Sequence, residues 1–140
     1  MFYEPKKGNP FKIDPFKSLV FPRPIGWISS ISKNGIANLA PYSYFNSVAD
    51  EPPQVMFCSN GSSTHGKYKD SLSNILTTKE FVVNFATSTS RNQMNISSRE
   101  FKPDEDEFIL SNLKKKKSRL VKAPSVKSSP VNLECKLVKT

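Results

Sequence analysis

The sequence predicts a mainly β domain, a small barrel with short helices attached, and three observations carry that prediction. Gly26 to Ser32 is an apolar, β-prone run with Trp27, Ile28 and Ile31 separated by serines, so it reads as a strand carrying hydroxyls on one face. Glu80 to Phe85 (EFVVNF) is a second strong β run, with Phe81 and Val83 on one side and Val82 and Asn84 on the other. Strands and helical stretches follow one another in a non-repeating order, which favours a barrel over a doubly wound parallel sheet.

The elements follow in chain order. Residues 1–22 are rich in Pro, Lys and Phe and read as an arm with a short strand at Leu19-Val20. After the strand at Gly26, Lys33-Asn34-Gly35 supplies an Asn-Gly pair that tolerates positive φ and closes a tight hairpin. Ile36 to Ala40 returns as the partner strand, which Pro41 is expected to end because proline has no N–H for the ladder. Gln54 to Ser59 reads as a buried strand, and Asn60 to Tyr68 as a loop holding His65. Leu72, Ile75 and Leu76 give Asp70 to Leu76 the stripe of a packed helix. Thr87 to Ser98 has room for a short helix, and Pro103 to Asp106 opens another whose acidic first turn suits the helix dipole. Pro124 to Ser128 is a loop and Pro130 to Val138 a closing strand.

Length and composition bound the function. The 140 residues fit one domain, spanning 1–140, with a single core. No run approaches the roughly 18 to 20 apolar residues of a membrane span, and the N-terminus is neither a signal nor a transit peptide. Cys58 and Cys135 lie far apart without CxxC spacing, which argues against a zinc site or a disulfide framework and fits a reduced, cytoplasmic setting. The net charge is +9, and Lys114-Lys115-Lys116-Lys117 supplies part of it. That run has no interleaved aromatics and follows a helical-looking segment, so it reads as a solvated helix end and not as a nucleic-acid surface.

The densest chemistry lies between Arg23 and Phe57. Tyr42-Ser43-Tyr44-Phe45-Asn46-Ser47 sets small residues, hydroxyls and aromatic rings side by side, as a flat heteroaromatic ligand with polar edges requires. Here the chain resembles a known family. Arg23-Pro24, Trp27-Ile28-Ser29, Gly35, Asn38-Leu39-Ala40-Pro41-Tyr42-Ser43, Phe45-Asn46 and Pro52-Pro53 are similar to the signature of the flavin reductase-like, FMN-binding split-barrel proteins. The likeness runs in order through Lys69-Asp70-Ser71, Asn74-Ile75, Glu80 to Asn84, Met94-Asn95, Ser97-Ser98, Glu107-Phe108 and Ser129-Pro130-Val131 to Leu133-Glu134-Cys135.

The resemblance implies a split, Greek-key-type barrel, a homodimer with FMN near the subunit interface, and hydride transfer from NAD(P)H through the flavin; FAD is the lesser candidate. Relatives in that family continue beyond the position of Thr140, so the chain is expected to lack the C-terminal part of the family domain. For the ring and its edge the candidates are Trp27, Ser29 and Ser30 together with Asn38, Leu39, Ala40, Pro41, Tyr42, Ser43 and Phe45. The alternative is that the serines face solvent and Trp27 is core. For the phosphate the candidates are Lys69, Asp70 and Ser71 at a helix N-terminus, where amides, dipole, ammonium and hydroxyl converge. Asp70 or Ser71 capping the helix is the competing role. Arg23 suits the phosphate or the flavin's anionic edge, or equally a surface ion pair. No residue is assigned a catalytic role: His65 lacks a partner pattern, and no metal cluster is present in the sequence. Two other classes remain, a non-enzymatic flavin-holding protein and a basic nucleic-acid-binding barrel.

Overall fold

The computed structural model describes residues 2–61, 63 and 66–140. Its centre is a four-stranded antiparallel sheet in the order β2-β1-β5-β8, formed by β1 (Gly26–Ile31), β2 (Ala37–Tyr42), β5 (Glu80–Asn84) and β8 (Asn132–Lys136). Two smaller pairs flank it: β3 (Phe45–Asp50) with β4 (Pro53–Phe57), and β6 (Lys115–Lys116) with β7 (Ser125–Val126). The helices are α1 (Pro15–Leu19), α2 (Asp70–Thr78), α3 (Arg91–Ile96) and α4 (Glu107–Leu110).

The β1–β2 hairpin forms as its turn residues dictate. Gly35 sits at φ +82°, its amide donates to Ser32 O over 3.0 Å, and Ser32 N donates to Ile36 O over 2.8 Å. β2 runs two residues further than expected, through Pro41, which pairs with Trp27. The missing N–H is tolerated because β2 is an edge strand.

Both faces of the sheet are buried. On one, Ile28, Tyr42, Ile75, Phe81 and Val83 form a cluster that the β3–β4 hairpin closes, Phe57 lying 4.9 Å from Tyr42 and 5.6 Å from Phe81, ring to ring. On the other, Trp27, Ala37, Leu39, Phe108 and Val126 pack together. The hairpin needs a glycine at the start of β1, for a methyl on Gly26 would lie 2.6 Å from Phe45 Cδ2. Gly26→Ala is therefore expected to cost about 1–3 kcal/mol by overpacking, read as a lowered Tm with an unchanged circular-dichroism spectrum.

Several local expectations are corrected. Leu19 ends a helix, α1, because Asp14 caps it: its carboxylate accepts from Phe16 N at 3.0 Å. Residues 45–50, to which the sequence alone assigns no element, form β3, and β4 is a half-exposed hairpin strand instead of a buried one. The helix expected from Pro103 starts only at Glu107, where Asp106 accepts from Phe108 N. The lysine run is not a helix end: Lys115 and Lys116 form β6, paired with Val126 and Ser125. The position of His65 lies outside the described residues.

Candidate flavin-binding cleft

A cavity of about 510 Å³ opens where the end of β2 meets the start of α2. One wall is strand: Asn38, Ala40, Pro41 and Tyr42, continued by Ser43 and Tyr44. Facing it are Lys69, Asp70 and Ser71. The segment Ser97 to Phe101 after α3 forms the far rim, and Lys17 of α1, Glu107 of α4 and Cys58, Asn60 and Ser63 after β4 also line the cavity.

Eight of the fourteen residues singled out from the sequence thus meet in one place. The helix start is suited to an anion. Lys69 occupies the N-cap with extended backbone and gives the first turn no side-chain hydrogen bond. Neither Asp70 nor Ser71 is the cap residue; the Ser71 hydroxyl donates instead to Asn38 Oδ1 over 2.6 Å.

The other six stand behind the cleft. Trp27 is fully buried and donates its indole N–H to Ser97 Oγ at 2.9 Å. Ser29 donates to Pro124 O at 2.6 Å, and Ser30 lies 3.4 Å from Asn38 Oδ1. These hydroxyls therefore satisfy the protein interior: they neither face solvent nor line the cavity. Leu39 and Phe45 are packing residues. Arg23 donates to Lys17 O and Val20 O at 3.1 and 2.9 Å and lies over the Tyr44 ring, so it fastens the N-terminal arm to a cleft wall.

Charged side chains not assigned to the site from the sequence also line it: Lys17 and Arg99 add cations, and Glu100 and Glu107 add carboxyls. Glu107 is only 6% exposed, accepting from Asn38 Nδ2 at 2.6 Å and from Leu39 N at 3.1 Å. Burial raises its pKa to about 7, with the charge of Asp70 adding to the shift and the Leu39 and Asn38 bonds opposing it. Burial likewise raises the Tyr42 phenol, partly offset by the neighbouring Ser71 hydroxyl. A Glu-Phe pair opening a short helix gives no sequence signal that its carboxyl turns inward toward a strand some 70 residues earlier.

None of Lys114 to Lys117 lines the cleft, and Lys115 bonds the Asp106 carboxylate. Changing all four to Gln is expected to leave cofactor affinity within about twofold while lowering retention on a polyanion column, at a stability cost of about 1 kcal/mol or less for the lost ion pair.

A β sheet split between a main layer and a flanking hairpin, with a polar cleft at a helix start, defines the class. The family model of the flavin reductase like domain matches residues 17–140, and the chain belongs to that family. A protein of Aquifex aeolicus is 48% identical over 121 residues, which are 86% of this chain and 61% of that protein. In structure the chain is similar to nitrilotriacetate monooxygenase component B from Bacillus cereus, with TM-score 0.82 and 30% identity over 94% of this chain and 67% of the other. A split barrel domain protein from Shewanella frigidimarina, 20% identical, shares the fold at TM-score 0.77, with 91% of this chain and 65% of its own covered. The mainly β, split-barrel fold expected from the sequence is borne out. The chain spans about three fifths of the Aquifex protein's length. Among the described residues, no helix is long and apolar enough to cross a membrane.

Proposed function

We propose that this domain binds FMN in the cleft between β2 and α2 and serves as an oxidoreductase that passes electrons from NAD(P)H to an acceptor. The observation that carries the reading is the meeting of the Asn38-to-Ser43 wall with the start of α2 in one cavity, in a chain of the flavin reductase like family. The residues fit the group on all three of its surfaces. Tyr42 and Tyr44 offer rings and a strand edge offers backbone amides, while Lys69 and the helix start offer a cation and a positive dipole end.

When bound, the flavin supplies the redox chemistry itself. The protein's part is to orient it, hold its charges and limit water, which calls for no dedicated acid–base pair. That accords with a cleft lined by hydroxyls and cations among the described residues. The half-open cavity, walled on one side by an edge strand, suits a site completed by a second copy, and we place the active form as a cytoplasmic homodimer.

The test begins with the colour of the purified protein and the identity of the chromophore released on denaturation. FMN is expected, followed by anaerobic bleaching of its visible bands on adding NADH or NADPH. Bound flavin that neither nucleotide bleaches would make this a flavin-holding protein, and a protein that retains and rebinds no flavin would overturn the reading.

A further inference from the structure

In the wall of the cleft, three buried side chains form a directed hydrogen-bond chain. The Ser71 hydroxyl donates to Asn38 Oδ1, and Asn38 Nδ2 donates to Glu107 Oε1, both at 2.6 Å; Leu39 N–H donates to Glu107 Oε2 at 3.1 Å. Ser71 is 1% exposed, Asn38 7% and Glu107 6%. The direction follows from chemistry. An ionised carboxylate only accepts, so Asn38 must turn its NH₂ toward Glu107 and its carbonyl toward Ser71. The Ser71 proton is thereby committed inward, away from any anion at the helix start.

A protonated Glu107 reverses every link. Its O–H donates to the Asn38 carbonyl, the amide turns over, and the NH₂ then donates to Ser71 Oγ. The Ser71 proton is released toward the cleft, while Leu39 N–H still finds a carboxyl oxygen. We propose that Glu107 is a positioning residue that takes one proton from solvent as a phosphate-bearing flavin enters, and through Asn38 presents the Ser71 hydroxyl to that phosphate. This rests on the flavin reading of the cleft.

The surroundings suit such an exchange. Glu107 shares its cavities with the carboxylates of Asp70, Glu100, Asp104 and Glu105 and with the cations Lys17, Lys69 and Arg99. A phosphate dianion brought beside an ionised Glu107 adds like charge in a poorly solvated place, and one proton removes that conflict. With the carboxyl already held near 7 by burial, the uptake is accessible at physiological pH.

The sign follows from linkage. If the bound state holds one more proton than the free state, affinity falls as pH rises above the free protein's value of about 7, by at most tenfold per unit. Between pH 7.5 and 9 the phosphate stays a dianion, its second ionisation lying near 6. Calorimetric titrations of the apoprotein with FMN and with riboflavin over this range read the effect. The ratio of FMN to riboflavin affinity is expected to fall several-fold to about tenfold per pH unit. At pH 8, titrations in two buffers of different ionisation enthalpy should show a large fraction of one proton taken up with FMN and none with riboflavin.

Glu107→Gln separates this role from a merely structural one. The glutamine amide donates to Asn38 Oδ1 as the protonated acid would, so the variant is expected to bind FMN at pH 8.5 at least as tightly as the parent, with no pH slope. A flat FMN profile in the parent, a slope that persists in Glu107→Gln, or an equal loss of both flavins in the variant overturns the proposal and leaves the flavin reading standing. Should the variant fail to fold, the two-buffer measurement on the parent protein decides alone. Failure of both flavins to bind the parent at any pH overturns the flavin reading itself, and this inference with it.

Discussion

Asn84→Ala is expected to destabilise the domain by about 3–5 kcal/mol, a large part of the roughly 5–15 kcal/mol that holds a domain of this size together. Asn84 is fully buried on β5 and makes four hydrogen bonds. Its NH₂ donates to Trp27 O and Ser29 Oγ at 2.9 and 3.0 Å, and its carbonyl accepts from Val126 N and Asn132 Nδ2 at 2.8 and 2.9 Å. One side chain thus ties β1, β7 and β8 to the middle of the sheet. Alanine would strand two or three of those groups away from water, at about 1–3 kcal/mol each.

Urea unfolding should show the midpoint shifted and the m-value kept. Asn84→Asp sharpens the test by keeping the acceptor toward Val126 while placing an oxygen against the Trp27 carbonyl. It should be as damaging at neutral pH and partly recovered in acid, where the carboxyl can donate. A loss under 1 kcal/mol for alanine would mean that the β6–β7 segment simply swings out to water. The consequence reaches the cleft, because Val126 and Trp27 pack with Phe108, the neighbour of Glu107.

Asn84 also shows where sequence reasoning stops. Its place on the second face of EFVVNF was legible from strand alternation, but an asparagine in that position reads equally well as solvent-facing. Only the fold brings β7 against it, through Val126 N. Ser29 and Ser30 teach the same lesson. A hydroxyl-bearing face suggested ligand contact, but burial on both faces of a central strand turned those hydroxyls to Pro124 and Asn38. Elements written in local chemistry were recovered: the Asn-Gly hairpin, the Leu72-Ile75-Leu76 stripe of α2, and the strands of the main sheet. Elements set by long-range pairing were not. β3 carries no alternation of its own and exists because β4 pairs with it, and two lysines form β6 only because Ser125 and Val126 lie alongside.

The cleft was legible to the extent that its residues sit in two short runs, Asn38 to Ser43 and Lys69 to Ser71. Lys17, Arg99 and Glu107 come from helices and loops far away in sequence, with no local mark of where they point. Glu107 is the most consequential of these, since it places a buried carboxyl with a raised pKa in the cleft wall.

Of the two runs, the second gives the sharper functional test, because FMN and riboflavin differ only by the phosphate. Lys69 stands at the N-cap of α2 and lines the cleft without capping the helix through its side chain. Its ammonium belongs to the cleft lining, so its contribution should be to the ligand's charge. A charge-assisted bond to phosphate is worth about 1.5–3 kcal/mol, so Lys69→Ala should weaken FMN by about ten- to a hundredfold. Riboflavin should move by less than about twofold, since its ring would still meet the strand wall. Enlarging Ala40, which lines that wall, should weaken both flavins together. Calorimetric titration of each apoprotein with each flavin reads the two patterns side by side. Lys17 and Arg99 share the lining and set the lower end of the range, because remaining cations compensate part of a lost one. If Lys69→Ala weakens FMN and riboflavin equally, the lysine supports the helix start and not the phosphate, and the anion must be sought at the Ser97-to-Phe101 rim, where Arg99 becomes the residue to change.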